Sequence, residues 1–387
     1  MVFVGIDVSK DSHSCHIISS NGNTLVENLV ISNDLEGFNT LNDSLSLIDE
    51  EIRIALESTG HYSINIESFL RNKEYSITLL NPLIVDKFKK SQTLRKTKTD
   101  KSDAKLIATL LFSKIQEATQ DVPMEIRELK SLTRNRSRLV KEKSRLKMQI
   151  SRLLVITFPE FKTIFSSQHC KSAYSVLKAY PSIDKLAKAN VNEVTEVLKK
   201  ASRGKFTFAK ATEIIDLAKN SIGTVSYSLS FELQQTIRLI EVFIQEIEII
   251  DIEIKTMLDA TKSPITTIPG IASTLGSIIL AEIGSVNRFK NPSKLLAFAG
   301  LEPTIYQSGQ YSATRSKMVK RGSSYLRWAI MQAARIICLT DKTFKDYLDK
   351  KRAEGKHYLV ALSHVSKKLL RVIYYLLKAN KEFIPQN

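Results

Sequence analysis

Between Val2 and Leu111, apolar runs too short to be helices alternate with stretches of helical spacing, and few folds accept that alternation. Val2–Ile6 (VFVGI) is a buried-strand pattern with Asp7 at its tip. Cys15–Ser19 and Thr24–Ile31 flank Asn21-Gly22-Asn23, which reads as a hairpin turn. Leu35–Leu47 has helical spacing. Ile52–Leu56 (IRIAL) is a second apolar strand and runs into Glu57-Ser58-Thr59-Gly60. A helix over Ile64–Arg71 and a strand over Tyr75–Leu80 follow, and Asn81-Pro82 breaks the latter. The last element is a helix with apolar positions at Leu106, Ile107, Leu110 and Leu111. The predicted order is β-β-β-α-β-α-β-α.

An antiparallel hairpin followed by strands joined through helices is the ribonuclease-H-like order. In it Asp7 and Glu57, at the ends of the first and fourth strands, fall at neighbouring sheet positions, where open α/β sheets place their sites. The last helix is preceded by Lys87, Lys89, Lys90, Arg95, Lys96 and Lys98, and it opens on Thr99-Asp100-Lys101-Ser102-Asp103. If Thr99 caps it, Asp100 and Asp103 stand three apart on one face of its first turn. Two adjacent carboxylates repel unless a cation lies between them, and Mg²⁺ prefers carboxylate and phosphate oxygens. The other reading of the pair is first-turn acids stabilised by the helix dipole.

Net charge is +17, from 57 Lys and Arg against 40 Asp and Glu. Such an excess favours a nucleic-acid partner over a membrane surface, because no strongly amphipathic basic helix with bulky aromatics accompanies it. No run of about 18 apolar residues exists, so no membrane span is expected. MVFVGIDVSK lacks a signal-peptide pattern. Cys15, Cys170 and Cys338 lie far apart and make no ligand spacing with the histidines, which points to a reducing cytoplasm and away from zinc.

From about Glu125 the texture changes. Leu132, Leu139, Leu146 and Leu153 recur every seven residues on a helix with ten Lys and Arg between Arg127 and Arg152. A second long helix carries Leu233, Ile237, Ile240, Ile244, Ile247, Ile254 and Leu258, with Asp251 interrupting. Both are coiled-coil seams, able to pair with each other or with a second subunit, and an ordinary amphipathic bundle gives the same spacing. The basic face of the first either tracks a nucleic-acid backbone or is simply solvated. The helix-rich insert between them, Phe158–Val225, contains KKASRGKFTFAK (Lys199–Lys210), a basic segment with Phe206 and Phe208 interleaved, a combination able to bind phosphates and stack bases. Beyond Ile265, Ile268-Pro269-Gly270-Ile271 leads into an apolar helix over Thr274–Ile283, a helix-hairpin-helix-like pattern that would offer backbone N–H groups to a phosphate. The stretch from Tyr306 to Gly322 places Ser308, Ser312 and Ser316 among Arg315, Lys317, Lys320 and Arg321. A serine hydroxyl beside fixed cations can attack a phosphodiester, although Ser308-Gly309 alone is also an ordinary turn. Ser323 reads as the N-cap of a helix running through Arg335.

GIDVSK (Gly5–Lys10), ESTG (Glu57–Gly60) and KTDKSDA (Lys98–Ala104) resemble, in order, the motifs of DEDD insertion-sequence transposases. That family is related to the Piv DNA invertases and has a RuvC-like N-terminal domain. IPGI, FAGLEP, YQSG and KRGSSYLR resemble its separate C-terminal transposase domain. The chain departs from the family at Val319-Lys320, where Ser-Lys is common. The resemblance implies Mg²⁺ held by Asp7, Glu57, Asp100 and Asp103, and a nucleophile at Ser308 that becomes covalently linked to DNA. It also implies a dimer or tetramer joined partly through the coiled coil, with one subunit's RuvC-like domain meeting another's serine domain. An element-encoded guide RNA is implied as a further partner.

The expectation is therefore an α/β domain followed by a mainly α remainder. Its parts are a RuvC-like domain (1–118), a first coiled-coil helix (119–157), a helical insert (158–225), a second coiled-coil helix (226–262) and a C-terminal serine transposase domain (263–387). The expected function is excision and insertion of a mobile element in a bacterial or archaeal cytoplasm, at the nucleoid, with Lys96, Lys98, Arg315, Lys317, Lys320 and Arg321 contacting nucleic acid. The alternative is a RuvC-like junction endonuclease acting by hydrolysis, for which the four acids suffice.

Overall fold

The computed structural model describes residues 1–57, 60–92, 100–113, 122–304, 307–308, 311–312 and 317–385; for Asp100, Gln307, Ser308, Tyr311 and Ser312 the description stops at the backbone. The chain divides into two compact units, Met1–Asp121 and Val122–Asn387.

The first unit follows the predicted order: β1 (Val2–Val8), β2 (Ser12–Ser19), β3 (Thr24–Ser32), α1 (Leu35–Ser46), β4 (Ile52–Glu57), α2 (Ser63–Asn72), β5 (Ser76–Leu80), α3 (Pro82–Gln92) and α4 (Asp100–Phe112). The strands form one mixed sheet in the order β3-β2-β1-β4-β5. β1, β2 and β3 pair antiparallel, whereas β4 runs parallel to both β1 and β5. The turn between β2 and β3 needs its glycine, because Gly22 has φ +82° and donates to the Ser19 carbonyl. Asp34 caps α1 by accepting from Gly37 N–H at 2.8 Å.

Side-chain alternation sorts β1 onto two faces. Val2, Val4, Ile6 and Val8 join Phe38, Leu41 and Leu45 of α1 and Ile66 and Leu70 of α2 in one core. Phe3 joins Ile107, Ala108, Leu110 and Leu111 of α4 and Val85 of α3 in another. Burial on both faces explains the unbroken apolar run VFVGI. Gly5 lies on the α4 face. A Cβ there would stand 2.3 Å from the Ala104 carbonyl oxygen and 2.3 Å from the Ala108 nitrogen. Only glycine lets the helix come this close.

Among its described residues the second unit is mainly helical, with one short ribbon. Its spine is α5 (Met124–Thr157), followed by α6 (Lys171–Ala179), α7 (Ile183–Ala187), α8 (Val191–Ser202), α9 (Phe208–Lys219) and α10 (Tyr227–Ala260). α11 (Ser273–Ile283), α12 (Pro292–Ala299), β6 (Gln307–Ser308), β7 (Tyr311–Ser312), α13 (Ser324–Thr340), α14 (Lys342–Ala353) and α15 (Tyr358–Ala379) complete it. α5 and α10 are each 34 residues long. They run antiparallel along each other, since Arg136 pairs with Asp251 and Arg152 with Glu232. The two apolar seams thus meet within one chain. One end of this pair builds a core with α6 to α9 through Ile150, Leu153, Leu233 and Ile237, and the other builds a core with α11 to α15 through Ile126, Leu129, Ile254 and Leu258.

Two local expectations change in the structure. Gly270, at the apex of the helix-hairpin-helix-like turn, has φ +85°, and a Cβ there would lie 2.7 Å from Ile336 Cγ2. Its turn is packed against α13. Phe206 stacks edge-on against Phe165 within the insert's core, so its ring serves packing, whereas Phe208 is exposed. Among the described residues no helix is long and apolar enough to cross a membrane.

Gly5→Ala should destabilise the first unit by about 1–3 kcal/mol, the usual cost of overpacking a well-filled interior. Denaturant unfolding should show this as a lower midpoint, with the sheet's own pairing residues untouched.

Candidate active-site regions

Alternation along the strands decides where the acids of the first unit point. β1 and β4 are in register from Val2↔Ile52 to Ile6↔Leu56, so Asp7 and Glu57 follow as neighbours at the carboxyl ends of parallel strands. Asp7 is two residues beyond Gly5, and Glu57 is two beyond Ala55, which belongs to the α4-side core. Both acids therefore stand on the face that α4 covers. Asp103 lies on α4 beside Ala104, the residue whose carbonyl touches Gly5, and it is 9% exposed. Asp100 opens the same helix. The Gly5 approach is thus what carries the helix with two of the acids to the strands with the other two.

Asp103 is ion-paired to Lys89 of α3, and Ser102 Oγ donates to it at 3.5 Å. Among the described residues no three ligating side chains are gathered at metal-holding distance. The ammonium of Lys89 stands in for the positive charge that this acidic face requires. Carboxylate oxygens are also the donors that a hard divalent cation selects. Lys90 is paired with Asp86 at 2.7 Å, so two members of the basic run neutralise acids of their own unit. Lys96, Lys98 and the proposed cap Thr99 lie outside the described residues.

In the second unit Ser308 ends β6 and is in register with Tyr311 of β7. The tip of the turn that the sequence suggests, Gly309-Gln310, lies outside the described residues, and the backbone on either side of it is paired. A separate pairing joins 302–304 to 317–319: Thr304 N–H donates to the Lys317 carbonyl at 2.7 Å, and Val319 N–H to the Glu302 carbonyl at 3.0 Å. Two close approaches clamp its base. A Cβ on Gly300 would lie 2.1 Å from the Arg321 carbonyl oxygen, and one on Gly322 would lie 2.0 Å from that of Phe298. Arg327 ties the same turn by donating to the carbonyls of Ala299 and Lys320 at 3.0 and 3.2 Å. Lys317, Lys320 and Arg321 are exposed, and Lys320 is held at φ +57°. Arg315 lies outside the described residues.

Beneath this turn is a charge cluster absent from the sequence reading. Glu282, 1% exposed on α11, takes a bidentate fork from Arg134 of α5 at 2.7 and 3.1 Å. Ser323 Oγ donates to the same carboxylate at 2.8 Å while accepting from Leu326 N–H at 3.0 Å, which caps α13. Arg288 is held between the rings of Phe289 and Phe298, and burial pushes its guanidinium pKa down. Burial and then the nearby guanidinium groups of Arg134 and Arg288 push the Lys130 ammonium down, against the pull of Glu282. A lone acid inside the apolar run SIILAEI was the available signal for Glu282; nothing in the sequence singled out Arg134 among ten basic neighbours.

Burial raises the carboxyl pKa of Glu282, but the Arg134 fork, the Lys130 charge and Ser323 outweigh it and hold the group below its ordinary value. A depressed carboxyl contributes stability above the unfolded pKa of about 4.3 and loses it as pH falls through the folded one. Glu282→Ala should therefore cost about 2–3 kcal/mol at neutral pH, less than a fully buried pair because the Arg134 side chain is 45% exposed. Unfolding followed against pH should show the parent losing this advantage below about pH 4.3, converging on the variant.

Comparison with known proteins covers parts of both units. A DEDD family model described as Transposase matches residues 4–159, and a model described as Transposase IS116/IS110/IS902 family matches residues 262–349. The 44.8 kDa protein of insertion element IS116 from Streptomyces clavuligerus is 24% identical, across 99% of this chain and 96% of its own. The 42 kDa protein of insertion element IS900 from Mycobacterium paratuberculosis is also 24% identical, across 99% and 97%. A pilin gene-inverting protein from Moraxella bovis is 21% identical, across 98% and 97%. The DEDD relationship implies a divalent metal ion and a DNA partner. With both units matched in order and relatives aligned over nearly their full lengths, the chain belongs to the DEDD insertion-sequence transposases and is a DNA recombinase.

Proposed function

We propose that the protein moves an insertion-sequence element by serine-based strand cleavage, with a ribonuclease-H-like carboxylate site in its first unit. The observation that supports this reading is the placement of Asp7 and Glu57 at adjacent strand ends on the face that α4 covers, with Asp103 buried on α4 and paired to Lys89. Asp7, Glu57, Asp100 and Asp103 would hold Mg²⁺, with Lys89 released from Asp103 as the cation enters. When bound, Mg²⁺ supplies positive charge that polarises a scissile phosphate.

Ser308 is the nucleophile of this reading. Its hydroxyl oxygen bonds to the scissile phosphorus as the phosphorus–oxygen bond to the leaving strand breaks. The phosphoserine linkage conserves the bond energy, so rejoining to a new strand needs no nucleotide triphosphate. The close approaches at Gly300 and Gly322 clamp the turn that carries Lys320 and Arg321, which gives those cations a rigid base. Lys317, Lys320 and Arg321 extend into solvent there and neutralise phosphate charge, and Arg315 shares that role. Choice of DNA sites through an element-encoded RNA, and assembly as a dimer or tetramer, belong to the same reading through the family relationship.

Ser308→Ala should form no covalent protein–DNA adduct after denaturation while still retaining DNA. Asp7→Asn and Asp103→Asn should each lower adduct yield about a hundredfold or more, the scale of losing a group that stabilises developing charge. Strand cleavage by Ser308→Ala without an adduct would replace serine chemistry with hydrolysis by the carboxylate site.

A further inference from the structure

The basic helix α5 has two unlike faces. Arg127, Lys130, Arg134, Arg138, Lys141 and Arg145 recur at three- and four-residue spacing and so line one side. Arg136, Lys143 and Lys147 lie on the other side, where α10 supplies acids: Arg136 donates to Asp251 at 2.9 Å, and Glu248 and Asp251 act on Lys143. On the first face Glu282 pairs with Arg134 and pulls on half-buried Lys130, and Glu142 pairs with Arg145, whereas Arg138 and Lys141 have no ion pair among the described residues. Arg134, Arg138, Lys141 and Arg145 are exposed.

Like charges in succession along one helix face repel one another, and an outside polyanion relieves that repulsion where the chain supplies no acid, as at Arg138 and Lys141. The face is also fixed in place. Glu282 sets the Arg134 fork, and the Tyr325 ring carries both Arg134 (5.1 Å) and Lys141 (5.7 Å) against it. From Arg127 to Arg145 the row spans roughly 27 Å, the rise of about eight base pairs. A regular row of held cations of that length fits a phosphate backbone better than a single acidic side chain or peptide.

We propose that this face of α5 is a docking surface for the phosphate backbone of duplex DNA, centred on Arg134, Arg138 and Lys141. It is distinct from the Ser308 ribbon and from the carboxylate face, and it stands whether or not either performs the chemistry assigned above.

The test compares Arg138→Gln/Lys141→Gln with Lys143→Gln/Lys147→Gln, which removes the same charge from the opposite face. Binding of the full-length protein to a labelled duplex oligonucleotide is measured across a salt series. Loss of two phosphate contacts should make the slope of log K against log salt shallower by about 1.8 for the first pair alone. Equal slopes in both pairs, or a change confined to RNA of the same sequence, would overturn the assignment. Arg138→Lys/Lys141→Arg guards against misfolding: it should bind with the parent slope, and failure to do so would count against a charge-based surface.

Discussion

The contact between α4 and β1 at Gly5 is the constraint on which the acidic face depends. With no side chain at that position, backbone meets backbone, and the helix that begins at Asp100 is fixed against the strand that ends beside Asp7. Register then does the rest. β1 and β4 pair without a shift, so Glu57 arrives beside Asp7 with no further device. A one-residue slip in that pairing would turn one acid to the opposite face. Ordinary core packing thus sets the geometry of the polar edge: Phe3 and Ile107 on one side of β1, and Ile6 and Leu41 on the other, hold the strand in its register.

The second unit solves a different problem, which is to build a helical body around one long spine. The antiparallel pair of α5 and α10 is long enough to join two separate cores. Glycines at 300 and 322 bring the end of α12 and the approach to α13 within backbone distance, and Glu282 locks that approach from below through Ser323. The desolvation of Glu282 is offset by the Arg134 fork and the serine hydroxyl together, so the buried charge is fully engaged. Removing any one partner leaves the others in a low-dielectric setting, which ties the stability of the clamp to the integrity of a charged cluster.

Most of the first unit was legible because its signals are local and mutually consistent. Ile52–Leu56 was read as a strand that structure extends to Glu57, and Asn21-Gly22-Asn23 as the hairpin turn that Gly22 makes. Strand order could be inferred because a hairpin followed by helix-linked strands leaves few sheets to build. The Lys89–Asp103 pair was not legible, since its partners lie fourteen residues apart on two helices whose mutual orientation is a tertiary outcome. The heptads in α5 and α10 announced a seam but not its partner, because an apolar stripe is satisfied equally by its own chain and by another copy. Asp251 was read as an interruption of that seam, and it is the acid that answers Arg136. The ribbon at Ser308 escaped notice because two-residue strands carry no periodicity to read.

The same limit explains how the chain's charge should be understood. An excess of +17 says that a polyanion is wanted, but it does not say where. Structure separates the cations by the company they keep. Lys89 and Lys90 answer acids in their own unit, Arg136 answers α10, and Arg134 is shared between Glu282 and Tyr325. Among cations paired with no acid in the described residues, Arg138 and Lys141 stand in line on one face of α5, and Lys317, Lys320 and Arg321 stand around the clamped turn. Alignment on rigid elements lets many weak phosphate contacts act together without ordering a loop for each.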